Sequence, residues 1–160
     1  MSTADTVERI FQLCKSKGVM ISVCESLTGG LISSLLIEKD GASAAVYEGI
    51  TAYSNESKIR RLFVSEETLK EHGAVSEEVA AQMAEGLYKS GAVGLTLSTT
   101  GIAGPGGGSE KKPVGLVFFG LCDGKCTKTY KYVFSGNRND IRNKTAEQAL
   151  AFIERGLKDL

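Results

Sequence analysis

Val19-Met20-Ile21-Ser22-Val23-Cys24, followed by Glu25-Ser26-Leu27-Thr28-Gly29-Gly30, is the stretch that decides the fold. The first six residues form an apolar run of the buried-strand type. The next six are polar and end in two glycines. Leu31 to Glu38 then reads as a helix. Strand, glycine turn and helix in succession open an α/β unit. The turn admits two readings. Free backbone N–H groups at the start of a helix can receive an anion, which makes Ser26, Thr28, Gly29 and Gly30 candidate binding residues. Ordinary capping of the helix by Thr28 uses the same residues for structure alone.

Outward from this unit, helices and strands alternate. Before it, Thr3 to Lys17 has Val7, Ile10, Phe11 and Cys14 on one helical face, and Gly18 stops the helix. After it come a turn of small residues, Gly41-Ala42-Ser43, and a strand from Tyr47 to Tyr53. Ser54 is suited to cap a helix from Asn55 to Leu62, and Ser65 one from Glu66 to Glu71. Ser76 opens a longer helix, with Glu77 and Glu78 in its first turn and Lys89 in its last, as the helix dipole favours. Val93 to Leu97 is β-like. Val114 to Leu121 and Cys126 to Phe134 form a hairpin about Asp123-Gly124, and Asn139 to Lys158 closes the chain as a helix. The expected fold is a single α/β domain over residues 1–160, a three-layer α/β/α sandwich with a mixed sheet.

Composition narrows the function. The chain has 160 residues, enough for one real core, and its 19 basic residues balance 19 acidic ones. A nucleic-acid partner would bring a basic excess, so none is expected. No apolar run can span a bilayer, and Met1 to Glu8 has no leader pattern, so a cytoplasmic protein without membrane contact is expected. Cys14, Cys24, Cys122 and Cys126 are expected as free thiols. The only histidine is His72, at the end of a short helix, which leaves no credible metal cluster and no good base for a Ser-His-Asp triad.

Chemistry is sought at Ser98-Thr99-Thr100-Gly101-Ile102-Ala103-Gly104-Pro105-Gly106-Gly107-Gly108, a loop reading with five glycines in its last eight residues. Such a loop after a strand is a common ligand site in α/β proteins, although a flexible connector has the same composition. It is not a P-loop, because Gly107 stands where a lysine is required. Ser43, Tyr53 and Lys58 form the most suggestive reactive set. Ser43 sits exposed among small residues, and Lys58 falls near the positive end of a helix, which together with desolvation disfavours its charge and suits a lysine base. A turn serine and a surface lysine are the plainer alternative.

These motifs together resemble the C-terminal domain of the CinA family, the nicotinamide-mononucleotide deamidases. The resemblance rests on Glu25 to Gly30, on Gly49-Ile50-Thr51-Ala52-Tyr53-Ser54-Asn55 with Lys58, on Gly73-Ala74-Val75-Ser76, on Thr100 to Gly107, on Lys112-Pro113-Val114-Gly115 and on Arg138 to Arg142. It implies a CinA C-terminal-domain-like fold in its stand-alone form, without the molybdopterin-binding-like domain of many full-length relatives. It implies hydrolysis of the carboxamide of nicotinamide mononucleotide to the nicotinate nucleotide and ammonia, in pyridine nucleotide salvage, with no metal or other cofactor. The expected partners are a small-molecule nucleotide and further copies of the chain. The resemblance puts the nucleophile on Ser43 and the base on Lys58, with Tyr53 assisting. Thr100, Gly101, Gly104 and Gly106 would line the site, and Arg142 would face the phosphate. Leu27 stands where the family often has Cys, which excludes a thiol mechanism there. Ser26 is the next nucleophile should Ser43 prove dispensable. The alternative function is a nucleotide-binding module of the same fold without chemistry; it needs the glycine loops but not the Ser-Lys pair.

Overall fold

A computed structural model describes residues 2–160; Met1, the first residue of the segment searched for a leader, lies outside them. Among the described residues, no helix is long and apolar enough to cross a membrane. One five-stranded sheet runs through the molecule in the order β2-β1-β3-β4-β5. Its strands are β1 (Ile21–Glu25), β2 (Val46–Thr51), β3 (Leu95–Gly101), β4 (Leu116–Cys122) and β5 (Thr127–Val133). The helices are α1 (Thr3–Lys17), α2 (Leu31–Ile37), α3 (Asn55–Leu62), α4 (Glu66–His72), α5 (Glu77–Ser90) and α6 (Arg138–Asp159). Strand β1 pairs parallel with both β2 and β3, whereas β3–β4 and β4–β5 are antiparallel. The sheet is mixed and has helices on both sides, as expected.

Strand residues alternate between the two faces, and each face has its own core. Val23, Leu97 and Phe119 pack with Ile10 of α1, Ile32 of α2 and Ile153 of α6. On the other face Cys24 packs with Leu62 of α3, Leu69 of α4 and Met83 of α5. The β1-to-β2 connection therefore crosses one face through α2, and the β2-to-β3 connection crosses the other through α3 to α5. The chain leaves β1 toward one side and returns to β3 on the other. Such a reversal of strand order opens a crevice at the C-terminal ends of the two strands.

Two expectations need correction. Ser98, Thr99, Thr100 and Gly101 are not loop; they are the second half of β3, which starts two residues later than expected, at Leu95. Their hydroxyls made them look like loop. Inside the sheet, Thr96 Oγ1 donates to Ala84 O at 2.7 Å and Ser98 Oγ to Ala80 O at 2.5 Å, both on α5. Thr100 Oγ1 donates to Ala74 O at 2.7 Å. Buried hydroxyls are tolerated when each finds an acceptor, and the neighbouring backbone supplies one for each. Secondly, Thr28 does not cap α2. The N-cap is Gly30, at φ 98°, which donates no side chain. By contrast, Ser54, Ser65 and Ser76 cap α3, α4 and α5 as expected.

Helix α3 is held against α5 by the absence of a side chain at Gly86. A Cβ there would lie 1.7 Å from the carbonyl oxygen of Leu62. That contact is with backbone, so relief would need α3 itself to move. Gly86→Ala is expected to destabilise the protein by about 1–3 kcal/mol or more, as overpacking does, despite the better helix propensity of alanine. Urea unfolding of the two proteins measures it; equal midpoints would mean that α3 is free to shift.

Candidate active site

Lys58 lies in the first turns of α3, a helix that Ser54 starts by accepting the Ser57 N–H at 3.0 Å. Its side chain turns inward and is 1% exposed. The Nζ atom lies 3.0 Å from Ala52 O, 3.1 Å from Tyr53 O and 3.1 Å from Ser26 Oγ. Ser26 follows the last residue of β1, and its N–H donates to Thr99 O of β3 at 3.1 Å. The serine and the lysine thus meet at the crevice opened by the reversal of strand order. A cavity of about 290 Å³ opens there, lined by Ser26 and Lys58 together with Tyr53, Val75, Thr100 and Arg138.

Burial pushes the Lys58 pKa below the ordinary lysine value. Of the two causes expected, desolvation and the helix position, desolvation is the one that lowers it here. Among the described residues no carboxylate forms a salt bridge with Lys58. The two backbone carbonyls can only accept, so they take N–H groups. A charged amine has a third N–H for Ser26 Oγ; a neutral one has two, one for each carbonyl, and its lone pair then faces the Ser26 hydroxyl. That is the arrangement of a base beside its nucleophile. Burial also raises the pKa of the neighbouring Cys24 thiol, so it stays protonated against Leu97 O.

The structure does not bring Ser43 to Lys58. Ser43 is exposed in a 3₁₀ turn, Ala42–Ala44, that precedes β2, whereas Lys58 follows it. The six residues of β2 separate them by roughly 20 Å along the strand. The neighbours Gly41 and Ala44 line a different groove, beside Phe11 and Met20. Tyr53 is 65% exposed at the mouth of the cavity, and it is its main-chain carbonyl that meets Lys58. Thr100 and Gly101 line the cavity. Gly104 carries the carbonyl that Arg138 Nη1 holds at 2.8 Å, and Gly106 is exposed.

The turn before α2 is not an open anion site. The Glu25 carboxylate, fully buried, fills it. It accepts the N–H groups of Gly30 and Ile32 at 3.1 Å and of Ser33 at 2.8 Å, plus the Ser33 hydroxyl at 2.7 Å. Arg142 is also engaged internally: Nε donates to Leu27 O at 2.9 Å and Nη2 to Thr28 O at 3.0 Å. Thr28 shares a hydrogen bond with Thr99 Oγ1 at 3.0 Å. Two residues were missed in the sequence. Glu25 could have been noticed as an acid preceding a helix whose cap position is glycine. Arg138 stands in the same stretch as Arg142, and nothing in their spacing says which one reaches the cavity.

The family model described as "CinA C-terminal domain" matches residues 3–157. The chain belongs to the CinA C-terminal domain family. A CinA-like protein of Kosmotoga olearia is 48% identical over 153 residues. A putative competence-damage inducible protein of Clostridium perfringens is 45% identical over the same length. In both cases the match covers 96% of this chain but only 37% of the relative, so the chain spans little more than a third of these proteins. Among solved structures, the competence/damage inducible protein CihA of Agrobacterium tumefaciens superposes with a TM-score of 0.93 at 37% identity, over 98% of this chain and 99% of that one. A CinA superfamily protein of Klebsiella pneumoniae gives 0.94 at 26% identity over the whole of both chains.

The position of Lys58 has a consequence for stability. Its folded pKa lies below its unfolded pKa, so between the two values the unfolded chain holds the extra proton. Stability from this group therefore rises with pH through that interval and is lowest below it. Urea unfolding of the protein and of Lys58→Met across the alkaline range should show the unmutated protein gaining on the variant as pH rises toward the ordinary lysine value of 10.5. A difference that stays flat would mean that Lys58 is not held away from water.

Proposed function

We propose that the chain hydrolyses the carboxamide of nicotinamide mononucleotide, with Ser26 as nucleophile and Lys58 as base. One observation carries the reading: the buried Lys58 Nζ is held by Ala52 O and Tyr53 O and lies 3.1 Å from Ser26 Oγ. This replaces Ser43 as the proposed nucleophile. In the first half-reaction Lys58 takes the hydroxyl proton as Ser26 Oγ bonds to the amide carbon. The lysine then gives that proton to the departing nitrogen, which leaves as ammonia. Water, deprotonated by the same lysine, attacks the resulting ester, and the proton returns to Ser26 as the acid is released. The N–H of Ser26 itself is spent on Thr99 O, so the donors for the oxyanion must be other groups.

Arg138 is the better candidate for the substrate phosphate, because it lines the cavity and one of its nitrogens holds Gly104 O. Arg142 holds the Ser26 turn. The two arginines should therefore fail differently. Loss of a charge-assisted phosphate contact costs about 1.5–3 kcal/mol, so Arg138→Ala should raise KM roughly 10- to 150-fold for the nucleotide. It should leave the nucleoside nearly unaffected. Arg142→Ala should lower kcat for both substrates. Equal KM losses for nucleotide and nucleoside in Arg138→Ala would assign that arginine to structure.

Ammonia release from nicotinamide mononucleotide tests the reaction itself. Ser26→Ala and Lys58→Met should each cut kcat by about 10³-fold or more, and the double variant should be little worse than either, because the pair acts as one unit. Ser43→Ala should retain full activity. Activity of the unmutated protein should fall on acidification as Lys58 becomes protonated, with an apparent pKa below that of a free lysine. A protein that binds the nucleotide without ever releasing ammonia would instead be a binding module.

A further inference from the structure

The Glu25 carboxylate is completely buried and receives four hydrogen bonds, three of them from the backbone at the start of α2. It does more than end the exposed N–H groups of a short helix. Its own chain neighbour is Ser26, and only four residues, Ser26 to Gly29, lie between it and the Gly30 N–H that it holds. The carboxylate therefore closes a ring of main chain that contains the serine. Within the ring Gly29 N–H donates to Ser26 O at 3.1 Å. From outside, Arg142 holds the carbonyls of Leu27 and Thr28.

Glu25 also reaches the lysine side through its backbone. Its main-chain carbonyl accepts the Ala52 N–H at 2.9 Å. The carbonyl of Ala52 in turn accepts from Lys58 Nζ at 3.0 Å. One residue thus fixes the turn that presents Ser26 and the peptide that orients Lys58. We propose that Glu25 is a positioning residue for the Ser26–Lys58 pair, its carboxylate holding the serine turn closed so that Ser26 Oγ stays within reach of Lys58 Nζ. The proposal rests on the Ser26–Lys58 reading above.

The physical reason is the steepness of the geometry. Near-attack positioning is lost over about 1 Å, and a displacement of that size costs on the order of 10²-fold in rate. In Glu25→Gln one oxygen becomes an NH₂ group that can only donate, so in either orientation it opposes at least one backbone N–H that the carboxylate accepted, and the grip on the turn weakens. Glutamine conserves volume, so the core around it is unchanged.

The test follows the reactivity of Ser26 as well as turnover. A small fluorophosphonate, which phosphonylates an activated serine hydroxyl and expels fluoride, is incubated with the full chain. The labelled residue is located by mass spectrometry and the labelling rate is measured against pH. In the unmutated protein Ser26 should be labelled, faster as pH rises. Glu25→Gln should be labelled about 10- to 100-fold more slowly, and its kcat for nicotinamide mononucleotide should fall by a similar factor with KM within about threefold. Folding is checked by circular dichroism. A folded Glu25→Gln that labels and turns over like the unmutated protein overturns the proposal and leaves Glu25 as a helix cap. Should Glu25→Gln not fold, Ser33→Ala decides: it removes a single hydrogen bond to the carboxylate, and labelling should slow several-fold, whereas an unchanged rate overturns the proposal. Absence of Ser26 labelling in the unmutated protein overturns the nucleophile reading on which the proposal stands, a result distinct from normal labelling that is insensitive to Glu25.

Discussion

A lysine that pairs with no carboxylate among the described residues, buried at the end of a parallel pair of strands, is the constraint on which the rest depends. Removing an amine from water favours its neutral form. The cost of burying it is offset by hydrogen bonds to Ala52 O and Tyr53 O, which stabilise it without supplying an anion. Had a carboxylate filled that place, the charged form would be favoured. The segment between β2 and α3 thus holds Lys58 through its backbone. Ser54 starts α3 where Lys58 can reach back, and Gly86 of α5 lets the helix sit close enough for it to do so.

Topology places Ser26. Parallel pairing of β1 with both β2 and β3 sends the crossover helices to opposite faces and leaves the C-terminal ends of β1 and β3 uncovered. Ser26 is the first residue past β1, and Thr100 and Gly101 are the last two of β3. The hydroxyls of Thr96, Ser98 and Thr100 point at carbonyls of α5 and of the segment before it, so β3 is tied to the α5 side by hydrogen bonds as well as by apolar contact. Such a strand fixes Ser26 through the Ser26 N–H bond to Thr99 O.

Much of this was legible in the sequence because it depended on local chemistry. The serine caps at 54, 65 and 76 marked three helix starts within a residue, and the apolar face of α1 marked the side that packs on the sheet. Lys58 was expected near the start of a helix, and it lies there, in α3, with its side chain buried rather than on the surface. What failed was long-range. Ser43 lies between two alanines and Ser26 between Glu25 and Leu27, but neither setting says which serine is near Lys58; only the sheet order puts Ser26 beside it and Ser43 at the far end of β2. Ser98 to Gly101 carries the hydroxyls and glycine of a loop. Its burial rests on acceptors some twenty residues away in sequence, which no local pattern reveals. The two arginines of α6 differ in role because they lie four residues apart, about one turn, and one turn decides between the cavity and the Leu27 carbonyl.

Alternation along β1 explains how a glutamate can sit next to the serine without disabling the lysine. Successive strand residues face opposite sides of the sheet. Cys24 faces the layer of α3 and α5, where Lys58 lies, and Glu25 faces α2. The one buried carboxylate near the site is therefore turned away from the amine by the pleat, and its charge is taken up by the N–H groups of Gly30, Ile32 and Ser33. The same four-residue turn that separates the two groups carries Ser26 on the lysine side. A one-residue slip of β1 would exchange the faces, bringing Glu25 toward Lys58 and Cys24 toward α2. Pairing of all five residues of β1 with β3, in unbroken register, prevents it. The chemistry of the site therefore rests on strand register as much as on the identity of the residues in the cavity.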